Sequence, residues 1–227
     1  MYNIAIDGPA GSGKSTVAGL LARKLDILYL DTGAMYRACA LKATMLGIDP
    51  SDEKAVSGFI GNIDITVGYM NGLQHTFLDG KDVSVEIREN DMSDKSSKIS
   101  KHACVRAKMV DLQRQIAAKS SCVLDGRDIC IHVLPEAKYK FFLSASPEVR
   151  AERRYLELKS RGKEFSKERL LDEIKNRDYQ DSHRANSPLE IAPDAIVIDT
   201  SDYTAEQVAD YIGNIVINGE KEVNNRV

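Results

Sequence analysis

Residues 1–16 read MYNIAIDGPAGSGKST. Within them Gly8-Pro-Ala-Gly-Ser-Gly13-Lys14-Ser15 fits G-x-x-x-x-G-K-[ST], the pattern of a phosphate-cradling loop. Glycines permit positive φ, so successive backbone N–H groups can turn inward onto phosphate oxygens. Lys14 carries its charge to the β and γ oxygens, and Ser15 offers a hydroxyl to Mg²⁺. The context is the required one. Ile4-Ala5-Ile6 before the loop reads as a short buried strand. Lys14 to Leu25 after it reads as a helix, with Val17, Leu20, Leu21 and Leu25 on one stripe. The helix then presents its N-terminus to the anion.

Outward from the loop, apolar strands alternate with helical patterns. Strands are expected at Ile27–Leu30, Cys122–Leu124, Lys140–Leu143 and Ala195–Ile198, and helices at 33–46, 52–60, 104–118, from Pro147, at 166–184 and at 205–217. Asp64–Tyr69 and Gln74–Asp79 alternate apolar and polar residues around Met70-Asn71-Gly72, which is a hairpin signal. Five strands separated by helices imply a doubly wound α/β fold, a five-stranded parallel sheet with right-handed crossovers. The expected division is a core of 1–61 and 99–217, a small α+β insert at 62–98, and a polar, frayed tail at 218–227.

Composition narrows the class. The chain has 227 residues, 43% of them apolar, enough for one sizeable α/β domain with a small insert. A formal net charge of −3 argues against nucleic acid as an obligatory partner. The four cysteines, Cys39, Cys104, Cys122 and Cys130, show no C-x-x-C pairing and read as reduced thiols. Residues 1–7 already form a strand pattern, so no leader is expected, and no apolar run reaches the roughly 20 residues of a membrane helix. The expectation is a cytoplasmic protein with no membrane partner.

A phosphate loop does not name the acceptor. A GTPase would carry N-K-x-D and a D-x-x-G switch; the first is absent, and no D-x-x-G stands where a switch should follow the third strand. Three strand ends instead carry acceptor-like chemistry, where open α/β sheets bind ligands. Asp31-Thr-Gly-Ala-Met-Tyr36-Arg37 follows the second strand. Thr32 is expected to contribute to capping the next helix, and Arg37 either reaches an anion or is a solvated surface arginine. Asp125-Gly-Arg127-Asp128 follows the third; Asp125 stands where a Walker-B-type acid would hold a magnesium water, or else these residues form a salt-bridged turn. Arg177, Asp181 and Arg184 lie at i, i+4 and i+7 and share a helix face with Ile174, unless they form only a surface ion pair. Seven arginines fall between Arg150 and Arg184, in two helical stretches broken at Arg161-Gly162. An arginine-rich lid over about 147–184 fits a kinase, which must exclude water from the triphosphate.

The segments GPAGSGKST, LDTGAMYR, DVSVEIR, VLDGRDI, FFLSASPEVRAERR, IKNRDYQDSHRANSPL and DAIVIDTS occur in this order over roughly residues 2–217. Together they resemble bacterial-type cytidylate kinases, a P-loop nucleoside monophosphate kinase family. The resemblance implies transfer of the γ-phosphate of ATP to CMP or dCMP with Mg²⁺, in a monomer, and identifies 62–98 as the enlarged monophosphate-binding insert. It implies that Gly8, Pro9, Ala10, Gly11, Ser12, Gly13, Lys14, Ser15 and Thr16 hold ATP, with Mg²⁺ on Ser15 and, through water, Asp125. Ser97 and Arg106 would read the pyrimidine, Asp128 would accept from the cytosine amino group, and Arg177 and Asp181 would hold the ribose. Thr32, Arg37, Arg127 and Arg184 would grip the acceptor phosphate. Lys14, Arg127, Arg184, Arg153 and Arg154 would stabilise the transferring group, with Arg161 a further lid residue.

One run departs from the family. After Asp128 a Gly-Thr pair is usual, whereas this chain has Ile129-Cys130-Ile131-His132-Val133. Cys130 is expected to forbid easy positive φ and to add bulk near the cleft. His132 reads as a local polar contact. The departure motivates one rival of another class, a nucleotide-binding regulator without turnover. A kinase for UMP or another small acceptor is the nearer rival, and a nucleic-acid-binding NTPase a distant one.

Overall fold

A computed structural model describes residues 1–70, 73–89, 91–160, 162 and 165–224. Asn71-Gly72 of the hairpin turn and the lid residue Arg161 lie outside the described residues. The chain divides into two compact units: Met1–Tyr29 with the chain from Ser121 on, and Leu30–Ser120. The hairpin segment falls inside the second, which also takes in the helices on either side of it.

The large sheet is made by β1 (Asn3–Asp7), β2 (Leu28–Asp31), β6 (Cys122–Gly126), β7 (Tyr139–Ser144) and β8 (Ile196–Asp199), in the order β2-β6-β1-β7-β8. β1 lies at its centre. It pairs in parallel with β6 from Asn3↔Cys122 to Asp7↔Gly126, and with β7 from Ile4↔Tyr139 to Asp7↔Phe142. The C-terminal ends of β1 and β6 therefore lie level, which brings the residues after Asp7 beside those after Gly126. Ile4, Ile6, Val123, Phe141 and Leu143 pack on one face against α1 (Lys14–Leu25) and α8 (Ala205–Asn224). The helices meet the sheet through stripes at i and i+4: Val17 and Leu21 on α1, Val208, Ile212 and Val216 on α8. Each such aliphatic side chain contributes roughly 1.5–3 kcal/mol on burial.

The remaining helices of this unit are α6 (Pro147–Ser160) and α7 (Lys167–His183). Gly162 has φ +71° and its N–H donates to Lys159 O at 3.0 Å, which ends α6 in the left-handed turn that favours glycine. Ser166 caps α7, accepting from Arg169 N at 3.3 Å. The polar tail expected at 218–227 is helical as far as Asn224. Glu220 explains this: it accepts from Tyr139 Oη at 2.8 Å and pairs with Lys138. Among the described residues no helix is long and apolar enough to cross a membrane.

In the second unit, α2 (Thr32–Met45) is capped by Asp31, whose carboxylate accepts from Ala34 N at 2.9 Å. This corrects the expectation for Thr32: the cap is Asp31, and Thr32 is the first helical residue. α3 (Glu53–Ile60) is capped in the same way by Asp52. β3 (Ile65–Met70) and β4 (Leu73–Leu78) form the expected hairpin, and a short third strand, β5 (Lys81–Asp82), pairs with β4. α4 (Met92–Ile99) and α5 (Ala103–Ala117) complete the unit.

Candidate active site

The first unit holds the phosphate loop between β1 and α1. Gly8 has φ +149°, and a Cβ there would lie 2.0 Å from Leu143 O, so only glycine lets the loop pass the end of β7. Gly13, at φ +90°, starts α1 with no side-chain cap. The first N–H groups of the helix are thus left to a ligand rather than to a neighbouring side chain. Lys14 is buried beneath the loop, its ammonium 2.7 Å from Pro9 O and 3.4 Å from Ser12 Oγ. Burial pushes its pKa well below the ordinary lysine value. The Arg127 charge pushes the same way, and Asp125 and Asp7 oppose it. An anion at the loop would restore the ammonium.

Ser15 Oγ donates to Asp125 Oδ2 at 2.7 Å, and Tyr29 Oη donates to Asp125 Oδ1 at 2.9 Å. The loop hydroxyl and the acid at the end of β6 are thus together, as the sequence implies. Among the described residues no group of three or more His, Cys, Asp or Glu side chains is arranged to hold a metal. Ser15 and Asp125 suit Mg²⁺, an oxygen-seeking ion that needs only one or two protein ligands when phosphates supply the rest.

Beyond Gly126 the charges come in pairs. Arg127 Nε donates to Asp181 Oδ2 at 2.9 Å. Arg184, the C-cap of α7, lies with a nitrogen 3.7 Å from Asp128 Oδ1 and donates through Nε to Ser187 O at 2.5 Å. Burial would raise the Asp181 pKa, but Arg127, Arg177 and Arg184 outweigh it and hold the carboxyl below its usual range. Arg127, Asp128, Arg177, Asp181 and Arg184 therefore belong to one electrostatic cluster that also reaches Lys14. Arg153 is turned toward the loop after β8, donating to Thr200 Oγ1 at 3.1 Å; Thr200 Oγ1 in turn bonds Ser12 O at 3.0 Å. Arg154 pairs with Glu157 on the outer face of α6, at 2.8 Å.

Ile129–Val133 forms a π-type turn, in which Leu134 N reaches back to Ile129 O at 2.8 Å. Asp7, fully buried, caps this turn: Oδ1 accepts from Ile129 N at 2.9 Å and Oδ2 from Cys130 N at 2.7 Å. Burial raises the Asp7 carboxyl to about 6, against the lowering effect of those two N–H groups. Cys130 has no positive φ, and its sulfur is buried 3.6 Å from Ala5 O and 3.8 Å from Phe141 O. The expected strain and bulk near the cleft are thus absent: the side chain goes under the sheet.

In the second unit, Arg37 donates to Asp31 Oδ2 at 2.9 Å, while its buried Nε has no hydrogen-bond partner among the described residues. Thr32 is buried, and Asp31 N is held by Gln74 Oε1 at 2.7 Å. Arg106 is buried with its guanidinium 5.8 Å from the centre of the Tyr36 ring. Ser97 is half-buried on α4, its carbonyl accepting from Ser100 Oγ at 3.1 Å. Sequence reasoning missed Tyr29, Asp7 and the buried Arg150. Asp7 had one local signal: a carboxylate ending an otherwise apolar strand.

A family model described as "Cytidylate kinase" matches residues 4–218. A "Cytidylate kinase" of Caldanaerobacter subterraneus subsp. tengcongensis is 50% identical over 209 residues, 92% of either chain. One of Caldicellulosiruptor bescii is 47% identical over 206 residues, 91% of either chain. Among solved structures, an uncharacterized protein from Eubacterium ventriosum covers 95% of this chain and 98% of its own with a TM-score of 0.50 at 14% identity, a likeness of fold alone. Identity at this level along nine-tenths of the sequence, on a parallel sheet with a formed phosphate loop, makes the chain a member of the cytidylate kinase family and a nucleoside monophosphate kinase.

Proposed function

We propose that this enzyme transfers the γ-phosphate of ATP to CMP and dCMP, with Mg²⁺, by direct in-line displacement and without a covalent enzyme intermediate. The observation that carries the reading is the buried cluster after β6, where Arg127 and Asp128 meet Asp181 and Arg184 of the α7 end. Phosphoryl transfer asks a protein for alignment and charge rather than for a strong base. Lys14 and the loop amides hold the donor phosphates, and Ser15 with Asp125 would hold the metal. Mg²⁺, when bound there, would supply positive charge that offsets the charge of the donor phosphates. Arg127 and Arg184 take the acceptor phosphate, and Arg177 and Asp181 take the ribose. Arg153 and Arg154 act from the lid. Asp128 accepts from the exocyclic amine of cytosine; uracil offers a carbonyl there, which a carboxylate repels. In the second unit, Thr32 and Arg37 are proposed as phosphate contacts and Ser97 and Arg106 as contacts to the pyrimidine. The unsatisfied Arg37 Nε suits that role, since a guanidinium edge matches phosphate oxygens.

The test is ADP release with CMP, dCMP, UMP, AMP and GMP as acceptors. CMP and dCMP should lead the panel. Faster turnover of AMP than of CMP refutes the substrate assignment and leaves the family intact. The burial of Cys130 beneath the sheet removes the structural motive for the regulator reading.

A further inference from the structure

We propose that Arg150 is a positioning residue that ties the donor loop to α7, so that binding of one nucleotide strengthens binding of the other; this rests on the acceptor reading given for α7 above. Arg150 is 3% exposed and makes four directed bonds to three separate segments. Nε donates to Ala145 O at 2.9 Å, at the entry to α6. One terminal nitrogen donates to Ala10 O of the phosphate loop at 3.1 Å and to Asp178 Oδ1 at 2.9 Å; the other donates to Asp178 Oδ2 at 2.6 Å. Only a planar guanidinium can make this fork, and the ammonium of a lysine cannot.

The location of the partners matters more than their number. Ala10 lies inside the donor cradle. A Cβ built on its neighbour Gly11 would come 3.2 Å from Arg150 Cβ, so α6 rests against the same loop. Asp178 is next to Arg177 and three residues before Asp181, on the same side of α7. Asp181 in turn holds Arg127. One helix is thus fastened at residue 178 to the loop that takes the donor and at residue 181 to the arginine proposed for the acceptor. A shift of α7 along the loop must break the bidentate pair, so the pair selects one register of the helix.

Stability does not account for such a pair. The desolvation of a buried ion pair roughly cancels its attraction, and apolar residues of similar volume serve a fold as well or better. A coupling role predicts behaviour that a merely structural role does not. Coupling is reciprocal and is measured as the factor by which one ligand changes the affinity for the other.

The experiment titrates CMP calorimetrically with and without Mg²⁺ and a non-hydrolysable ATP analogue. It compares the wild type, Asp178→Asn, and the double variant Arg150→Met with Asp178→Leu, whose apolar pair keeps the site packed should the single variant fail to fold. The ratio of the two CMP dissociation constants should fall toward one in the double variant, a loss of about tenfold in coupling, while each affinity measured alone changes by less than about threefold. An unchanged ratio in a folded double variant overturns the proposal. So does an equal weakening of both nucleotides with the ratio kept, which is what a structural role gives. If wild-type turnover favours another monophosphate, the acceptor reading fails on its own, and the same titration with that monophosphate still decides the role of Arg150.

Discussion

Replacing Asp128 by asparagine should all but abolish the discrimination between cytosine and uracil. Asp128 is buried at the end of β6, 5% exposed, with its carboxylate 3.7 Å from Arg184. Acceptance from the cytosine amine by an ionised, desolvated carboxylate is a charge-assisted hydrogen bond, worth about 1.5–3 kcal/mol. Facing the O4 of uracil, the same oxygen meets another acceptor and gains nothing. At roughly 1.4 kcal/mol per factor of ten, the wild-type preference for CMP in kcat/KM from this contact alone should be about 10–150-fold. Asparagine keeps the shape but can turn its NH₂ toward O4, so the preference should collapse to within a few-fold of unity. The Arg184 contact predicts a second effect. Losing the charge beside that guanidinium should lower turnover of both substrates by a common factor, separable from the change in ratio. The assay is coupled ADP release at varied CMP and UMP. A common loss with the CMP-to-UMP ratio intact would show Asp128 to be only the counter-charge of Arg184, and the base-reading role would be refuted.

Tyr29→Phe removes the hydroxyl that fixes Asp125, and the apparent Mg²⁺ requirement in the same assay should rise about tenfold or more with little change in the KM for CMP. Asp7 gives a pH signature. Its folded carboxyl titrates near 6 against 3.8 in the unfolded chain, so the native state binds the proton more tightly. Stability from this group is fully present below 3.8 and is lost as pH rises through 6, by roughly 3 kcal/mol in all. Denaturant titrations of the wild type and Asp7→Asn should therefore differ by an amount that drifts against the wild type by most of that, roughly 2 kcal/mol, between pH 4 and 7. A difference flat with pH would contradict the buried, raised carboxyl.

The elements that were legible in advance are those whose signal is local. Gly8–Ser15 lies between a strand and a helix pattern, and the period-two stretches at 64–69 and 74–79 are a hairpin whatever surrounds them. What escaped depends on distant partners. Residues 218–224 are too polar to read as helix without Lys138 and Tyr139, some eighty positions earlier. Asp31 and Thr32 are both good capping residues in adjacent positions, and the choice between them is made by the backbone: Asp31 is extended at φ −73°, ψ +94°, and Thr32 is already helical. Arg150 looks like one of seven lid arginines until its partners are seen, 28 and 140 positions away along the chain. The glycine-to-cysteine change at 130 misled for a similar reason. Family glycines suggest positive φ, but a π-type turn capped by Asp7 needs none, and the thiol is buried against the carbonyls of Ala5 and Phe141.

The arrangement of charge after β6 argues for function more strongly than any single motif. Lys14, Asp125, Asp128 and Asp181 are buried, and half-buried Arg127, Arg177 and Arg184 act on them. Each buried ion carries a desolvation cost of several kcal/mol, only partly returned by its neighbours. A sequence selected for stability alone would fill such a site with aliphatic residues, as this chain does within the sheet with Ile4, Ile6 and Phe141. Retaining the charges makes sense where a ligand completes them. The lowered Lys14 pKa points the same way, since burial and the Arg127 charge disfavour the ammonium and a bound anion would favour it. Triphosphate binding should then be accompanied by proton uptake at alkaline pH, and Lys14→Met should abolish that uptake even where some nucleotide still binds. Calorimetry in two buffers of different ionisation enthalpy measures the uptake directly. Finding none above pH 8 in the wild type would mean that Lys14 stays charged without the donor, and that the cluster is balanced by the protein alone.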